Sequence, residues 1–377
     1  MKNAELLRML SDYDEIVIFG AANIGLYLYD FLKESKVDSI LVICDNSHKK
    51  QESMGVLSVD QATSLYKNAV YLLTNSVHEN TMKSQLLDMN ISRDQIVFAV
   101  TEESLEYDRT LNAKKKLSPL NKLQFEVDIA AHCNLNCKCC SQFSCIADEE
   151  FIDLHNMEQD FERLGELFDG EAEKIYLIGG EPLLHPDIIS CMQSARKYFR
   201  IGKISVFTNG LLLLSREEEF WETCREYDIT LIVTKYPIDL NYEGILQKVK
   251  EENVVFEFFT TSEDYKYMTN LGLDIDGRQN IQKSFINCTE ANNCIKLRQG
   301  KLYTCTRPAA IYKFNKYFKL DLEVSEKDYI NIYQEKNGQE ILRKLSKPIP
   351  FCKYCNPTGE RKAMIWGKTE KKIQEWL

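Results

Sequence analysis

Leu123-Gln-Phe-Glu-Val-Asp-Ile129 runs through Ala-Ala-His132 into Cys133-Asn-Leu-Asn-Cys137-Lys-Cys139-Cys140. Leu123, Phe125, Val127 and Ile129 alternate with polar residues, the period of a strand with one buried face, and a thiol-rich loop follows directly. Downstream the pattern changes to helix and back. Asp153 can cap a helix on which Leu154, Met157, Phe161 and Leu164 recur at helical spacing. The next strand, Lys174–Ile178, ends in Gly179-Gly180-Glu181-Pro182; after another helix, Lys203–Phe207 ends in Thr208-Asn209-Gly210. Further strands are expected near Thr230–Thr234 and Val254–Phe259. Such β/α alternation predicts a βα barrel over 122–287, with its chemistry just past the C-terminal ends of successive strands.

Upstream lies a second β/α series. Glu15–Phe19, Ser39–Cys44, Ala69–Leu73 and Gln95–Val100 read as strands, and the segment 1–106 as a Rossmann-like parallel sheet. Gly20-Ala21-Ala22-Asn23-Ile24-Gly25 follows the first strand and Asp45 ends the second, as in a dinucleotide-binding fingerprint. Ala22 stands where the fingerprint has its middle glycine, and its methyl would crowd a pyrophosphate. NAD is therefore not assigned, and a nucleotide or nucleotide-sugar portion of a substrate is weighed against a structural fold without ligand. Residues 107–121 are polar, lysine-rich and aperiodic, and read as a linker. From Cys288 the chain becomes short segments punctuated by cysteines, so 288–377 reads as a metal-stapled module too small for a full core.

The net charge of −10 excludes a broad nucleic-acid surface, which needs a basic field. No apolar run approaches the roughly 18 residues of a membrane span, and Met1-Lys-Asn-Ala-Glu-Leu-Leu lacks a secretory h-region, so a cytoplasmic protein is expected. Thirteen cysteines beside five histidines then point to thiolate metal sites rather than disulfides. Soft thiolates suit zinc or iron–sulfur clusters. Structural zinc takes four ligands in a closed shell, whereas C-x3-C-x2-C on one loop wraps three corners of a cubane and leaves the fourth iron open.

Cys133, Cys137 and Cys140 after the first barrel strand, with Gly179-Gly180-Glu181-Pro182 after the second, resemble the radical S-adenosylmethionine (SAM) superfamily. The resemblance covers roughly residues 120–287. It implies a partial (β/α)6 TIM-type barrel whose [4Fe–4S] cluster is held by those three thiolates. The Gly179–Pro182 loop would receive the SAM ammonium, with Thr208, Asn209 and Thr234 lining the SAM pocket. The chain is thus expected to be α/β: a Rossmann-like sheet, the radical SAM barrel, and a small cysteine-rich cluster-binding module. The implied reaction is reductive cleavage of SAM to methionine and a 5′-deoxyadenosyl radical that abstracts hydrogen from substrate. Flavodoxin or ferredoxin would supply the electron. Cys139 departs from the family, which often carries a bulky residue there, and is weighed as an alternative ligand.

Cys294-x5-Gly300-x4-Cys305 followed by Cys352-x2-Cys355 resembles the SPASM or twitch extensions of such barrels and implies a second [4Fe–4S] cluster, with Cys288 as a spare ligand and a zinc ribbon as the alternative. Cys44, Cys191 and Cys224 sit in apolar contexts and read as buried structural thiols. Cys145 is a candidate redox or hydrogen-donor thiol; His132 and His185 read as packing residues. The substrate class expected is a small molecule, with a sugar, nucleotide-sugar or surface-glycan precursor as the candidate. Peptide modification and a non-catalytic iron–sulfur sensor are the alternatives, and the Gly-Gly-Glu-Pro loop disfavours the sensor. No catalytic base or acid is identified.

Overall fold

Val17, Phe19, Tyr71 and Leu73 pack into one core, and their alternating neighbours Ile16, Ile18, Val70 and Leu72 pack into another. Strands apolar on both faces need helices on both sides, the usual setting of a parallel sheet. The computed structural model describes residues 1–75, 78–260, 267–269, 272–357 and 363–377. It divides into units 1–115 and 116–377.

In the first unit α1 (Asn3–Leu10) precedes β1 (Glu15–Phe19), α2 (Asn23–Glu34) and β2 (Ile40–Cys44). α3 (His48–Met54), α4 (Val59–Leu65), β3 (Val70–Leu73), α5 (Glu79–Asp88) and β4 (Ile96–Phe98) follow, and α6 (Glu102–Leu117) crosses out of the unit. The four strands are parallel in the order β2-β1-β3-β4. The order reverses between β1 and β3, beside the Gly20 loop, the topological position at which open parallel sheets take their ligands. Gly25 is required there, because a Cβ on it would stand 1.8 Å from the Gly20 carbonyl oxygen. Asp45 is committed internally: its carboxylate accepts from Ala21 N at 2.7 Å and Ser47 N at 2.9 Å, and pairs with Lys50 Nζ at 2.9 Å. Burial would raise its pKa, but these partners outweigh it and hold it below the ordinary value.

The polar stretch 107–121 carries the second half of α6. Thr101 and Ser104 cap that helix reciprocally, at 2.9 and 3.1 Å. Among its residues only Ser104 is buried, so it shows no apolar periodicity.

The second unit begins with β5 (Gln124–Ala130). α7 (Leu154–Leu167), β6 (Glu171–Gly179), α8 (Ile188–Tyr198), β7 (Ile201–Thr208), α9 (Glu218–Glu226), β8 (Ile229–Thr234), α10 (Tyr242–Glu251) and β9 (Phe256–Thr260) continue the alternation. Next come β10 (Tyr267–Thr269), α11 (Ile281–Ile286), β11 (Lys296–Arg298), β12 (Lys301–Tyr303), α12 (Thr306–Phe318), β13 (Tyr329–Asn331), α13 (Gly338–Leu345) and β14 (Ala363–Ile365). Asp153 caps α7 through Asn156 N at 2.9 Å. β5 to β9 pair in parallel in chain order. β11 joins the free edge of β5, also in parallel, and carries β12 and β13 with it, giving β13-β12-β11-β5-β6-β7-β8-β9. The cysteine-rich region therefore extends the barrel sheet and shares its core: Ile295, Leu297, Leu302 and Ile330 pack with Phe125, Ile175 and Ile204.

Candidate functional site

β5 ends at Ala130, and the turn that follows carries Cys133, Cys137 and Cys140. Two neighbouring strand ends close on it. Gly180 N donates to the Ala130 carbonyl at 2.8 Å and Glu181 N to the His132 carbonyl at 3.1 Å. This approach is possible only without side chains, since a Cβ on Gly180 would lie 1.9 Å from the His132 oxygen. Asn209, just past β7, donates through Nδ2 to Asn134 Oδ1 at 2.8 Å and toward Cys133 Sγ at 3.8 Å. Leu135 N also donates to that sulfur, at 3.4 Å.

A cavity of about 190 Å³ results. Cys133, Cys137 and Cys140 line it together with Gly179, Gly180, Thr208, Asn209 and Thr234. Glu181 and Pro182 are not among the lining residues. Instead the fully buried Glu181 carboxylate accepts from Thr208 Oγ1 at 2.6 Å, Asn209 N at 2.8 Å and Leu183 N at 3.0 Å, tying the β6 loop to the end of β7. Burial pushes its pKa up to about 7 against those three donors.

Cys139 is turned aside. It adopts the left-handed conformation, at φ 53°, is buried, and does not line the cavity. Cys145 and Tyr236 do line it. Tyr236 carried no sequence signal, as an aromatic two residues past a strand is ordinary. Burial, with the neighbouring Cys140 acting in the same direction, raises Cys133 to about 11 and Cys137 to about 12. His132 and His185 both pack edge-on to Phe151. His185 also accepts from Asp187 N at 3.0 Å. Cys44, Cys191 and Cys224 are buried and are not among the lining residues.

A strap formed by residues 366–376 holds the loop from the other side. Lys138 N donates to the Gly367 carbonyl and Thr369 N to the Asn136 carbonyl, each at 2.9 Å. The fully buried Trp376 indole donates to the Cys140 carbonyl at 3.0 Å. Nothing in the sequence marks this strap, because its bonds are to backbone.

The C-terminal thiols form a second group. α11 packs against the turn Pro350–Tyr354, and Ser284 Oγ donates to the Cys355 carbonyl at 2.6 Å. Cys288, just past α11 and half-buried, packs against the core that holds Cys352 and Cys355, and it raises both of their thiols. Cys305 stands at the N-terminal boundary of α12, and its thiol is raised well above ordinary by burial and by Cys288, Cys355 and Cys352. Cys294 lies at the edge of this group: burial raises its thiol first, then Glu126 and Glu290, with Cys288 adding to them and Lys296 opposing.

Both groups suit a thiolate-bound cluster in donor chemistry, being all sulfur, buried or half-buried, and near enough to raise one another's pKa values. Among the described residues, no three His, Cys, Asp or Glu side chains stand ready to hold a single metal ion. Four thiolates around zinc would converge at about 2.3 Å from one centre.

The model of the Radical SAM superfamily matches residues 127–241. A GTP 3′,8-cyclase of Staphylococcus aureus (strain Mu3) is 27% identical over 175 residues, covering 45% of this chain and 48% of the relative. The chain thus spans about half the length of the curated relatives it matches. Among solved structures, BtrN in complex with AdoMet and 2-DOIA overlays 63% of this chain and 94% of its own, with 16% identity and a TM-score of 0.39. Streptococcus suis SuiB bound to precursor peptide SuiA overlays 54% and 47%, with 20% identity and a TM-score of 0.29. No helix among the described residues is long and apolar enough to cross a membrane.

Proposed function

We propose, on the premise that this chain carries a radical SAM domain in residues 127–241, that it is an enzyme abstracting hydrogen from a small polar molecule. The carrying observation is the single cavity lined by Cys133, Cys137, Cys140, Gly179, Gly180, Thr208, Asn209 and Thr234. When bound, the [4Fe–4S] cluster and SAM supply reductive cleavage of SAM to methionine and a 5′-deoxyadenosyl radical that takes a hydrogen atom from substrate. The chain's own residues do the rest. Cys133, Cys137 and Cys140 would hold the cluster, as thiolates. Gly179 and Gly180, which line the cavity, would receive the SAM ammonium on their carbonyls. Glu181 acts behind them, holding Thr208 and Asn209 against the pocket wall. The strap through Trp376 fixes the loop backbone.

The sheet face turned from the helices supports a hydroxylated substrate such as a sugar or nucleotide-sugar. Glu126, Tyr176, Ser205 and Thr230 align in register across β5 to β8. Lys296 pairs with Glu126 at 2.9 Å and Asp128 at 2.6 Å, so the acidic side of this face is neutralised. The buried Ser205 hydroxyl has no partner among the described residues. Hydroxyls and balanced charges suit a neutral polyol better than an apolar side chain.

Cys288, Cys305, Cys352 and Cys355 are the four ligands we assign to an auxiliary [4Fe–4S] cluster, with Cys294 in the place of the spare thiol. Flavodoxin or ferredoxin remains the class of electron donor, and the cytoplasm the expected compartment.

The test is anaerobic reconstitution, reduction with SAM, and chromatography for 5′-deoxyadenosine, repeated with nucleotide sugars and with peptides in deuterated buffer. Product formation that disappears in Cys137→Ala supports the reading. Undiminished 5′-deoxyadenosine from that variant overturns the site, and deuterium entering only peptides overturns the substrate class.

A further inference from the structure

Arg307 is the most deeply buried guanidinium among the described residues, 2% exposed. It lies in the first turn of α12, where the helix dipole disfavours a cation. One edge of it is matched: Nε and Nη2 donate to the two oxygens of Glu290 at 3.2 and 3.1 Å. The remaining nitrogen, Nη1, is buried and without a hydrogen-bond partner among the described residues. A buried charged donor left open is destabilising unless an anion meets it. The groups around it are the thiols of the second cluster of cysteines. Arg307 stands two residues from Cys305, and its charge opposes the effect of burial on the Cys355 thiol. Cys288 and Glu290 belong to the loop on its other side.

We propose that Arg307 is a positioning residue for the auxiliary cluster, directing Nη1 at the Cys355 sulfur side of it and raising its reduction potential. This rests on the assignment of a cluster to Cys288, Cys305, Cys352 and Cys355. A thiolate-ligated cluster gains negative charge on reduction, so a fixed buried cation favours the reduced form, and hydrogen bonds to the sulfurs act in the same direction. Glu290 opposes it. Its carboxylate holds the guanidinium in place and also partly cancels the charge, so the two residues form a graded pair. The cluster's potential in turn decides whether it can accept an electron from a substrate-derived radical.

The experiment uses the full chain with Cys133, Cys137 and Cys140 all replaced by alanine, so that only the auxiliary couple gives a signal. The protein is reconstituted anaerobically with iron and sulfide, iron per chain is measured, and a potentiometric titration is followed by electron paramagnetic resonance. With about four irons per chain in the parent, Arg307→Gln is expected to lower the reduced-to-oxidised ratio at the parent midpoint at least tenfold, a shift of about 59 mV to more negative potential for one electron. Glu290→Gln shifts it the opposite way. Arg307→Lys keeps the charge but not the planar fork, and falls between parent and Arg307→Gln; it decides the matter if the glutamine variant fails to hold iron. Iron-loaded variants whose midpoints match the parent, or Arg307 and Glu290 variants moving in the same direction, overturn the proposal alone. A parent that binds no iron removes the auxiliary cluster, and the proposal with it.

Discussion

Replacing Gly180 with alanine tests the central contact of the site. The added methyl would stand 1.9 Å from the His132 oxygen, 2.3 Å from its carbonyl carbon and 2.9 Å from Cys133 N. All three are backbone atoms, so no rotamer change relieves the clash. Reaching even 3.0 Å requires the His132–Cys133 backbone to retreat by about 1.1 Å. Overpacking of this kind costs roughly 1–3 kcal/mol. At about 2–4 °C per kcal/mol for a unit of this size, the melting temperature should fall by several degrees. The larger effect is on chemistry. The displaced atoms carry the first cluster thiol, and a shift of about 1 Å in a reacting constellation costs on the order of 100-fold in rate. Gly367→Ala is the control, since a Cβ there meets nothing within 4 Å although the residue belongs to the strap. Both variants are reconstituted anaerobically and assayed for 5′-deoxyadenosine per iron. A Gly180→Ala protein with the parent's rate, iron content and melting temperature would falsify the close packing of β6 on the cysteine loop.

The auxiliary ligand set is separable by iron analysis: Cys288→Ala should lose about half of roughly eight irons per chain while Cys294→Ala keeps them. Equal loss in both, or loss only in the second, reverses the assignment. Glu181 gives a pH signature. Its carboxyl is raised from 4.5 to about 7 by burial, so its contribution to stability is full below about 4.5 and is lost as pH rises through about 7. For SAM-free protein the melting temperature, taken relative to Glu181→Gln, should therefore fall between pH 5 and 8, by the equivalent of up to on the order of 3 kcal/mol. Parallel melting curves over that range would show that the buried carboxyl does not titrate there.

Phe125, Val127 and Ile129 announced a one-sided strand, and the same local rule located β6, β7 and β8 to within a few residues. The α/β class and the radical SAM resemblance were legible for that reason: strand period, glycine-rich strand ends and C-x3-C-x2-C spacing are all properties of neighbours in sequence. The second half of α6 was hidden because it buries almost no apolar surface, leaving periodicity nothing to register.

Spacing could not decide which thiols share a site. Cys139 sits between two candidate ligands yet does not line the cavity, on a left-handed backbone, whereas Cys288 packs on the core of Cys352 and Cys355 because α11 docks on a turn more than sixty residues later. Glu181 belongs to a motif read for its charge, but its carboxylate is directed inward by Thr208 and Asn209 from another strand. Local sequence thus determined the elements and the ligand chemistry, because both depend on residues within one turn or one strand. Side-chain direction and partnership at the site were decided by the tertiary structure, since they depend on backbone conformation and on packing between segments far apart in the chain.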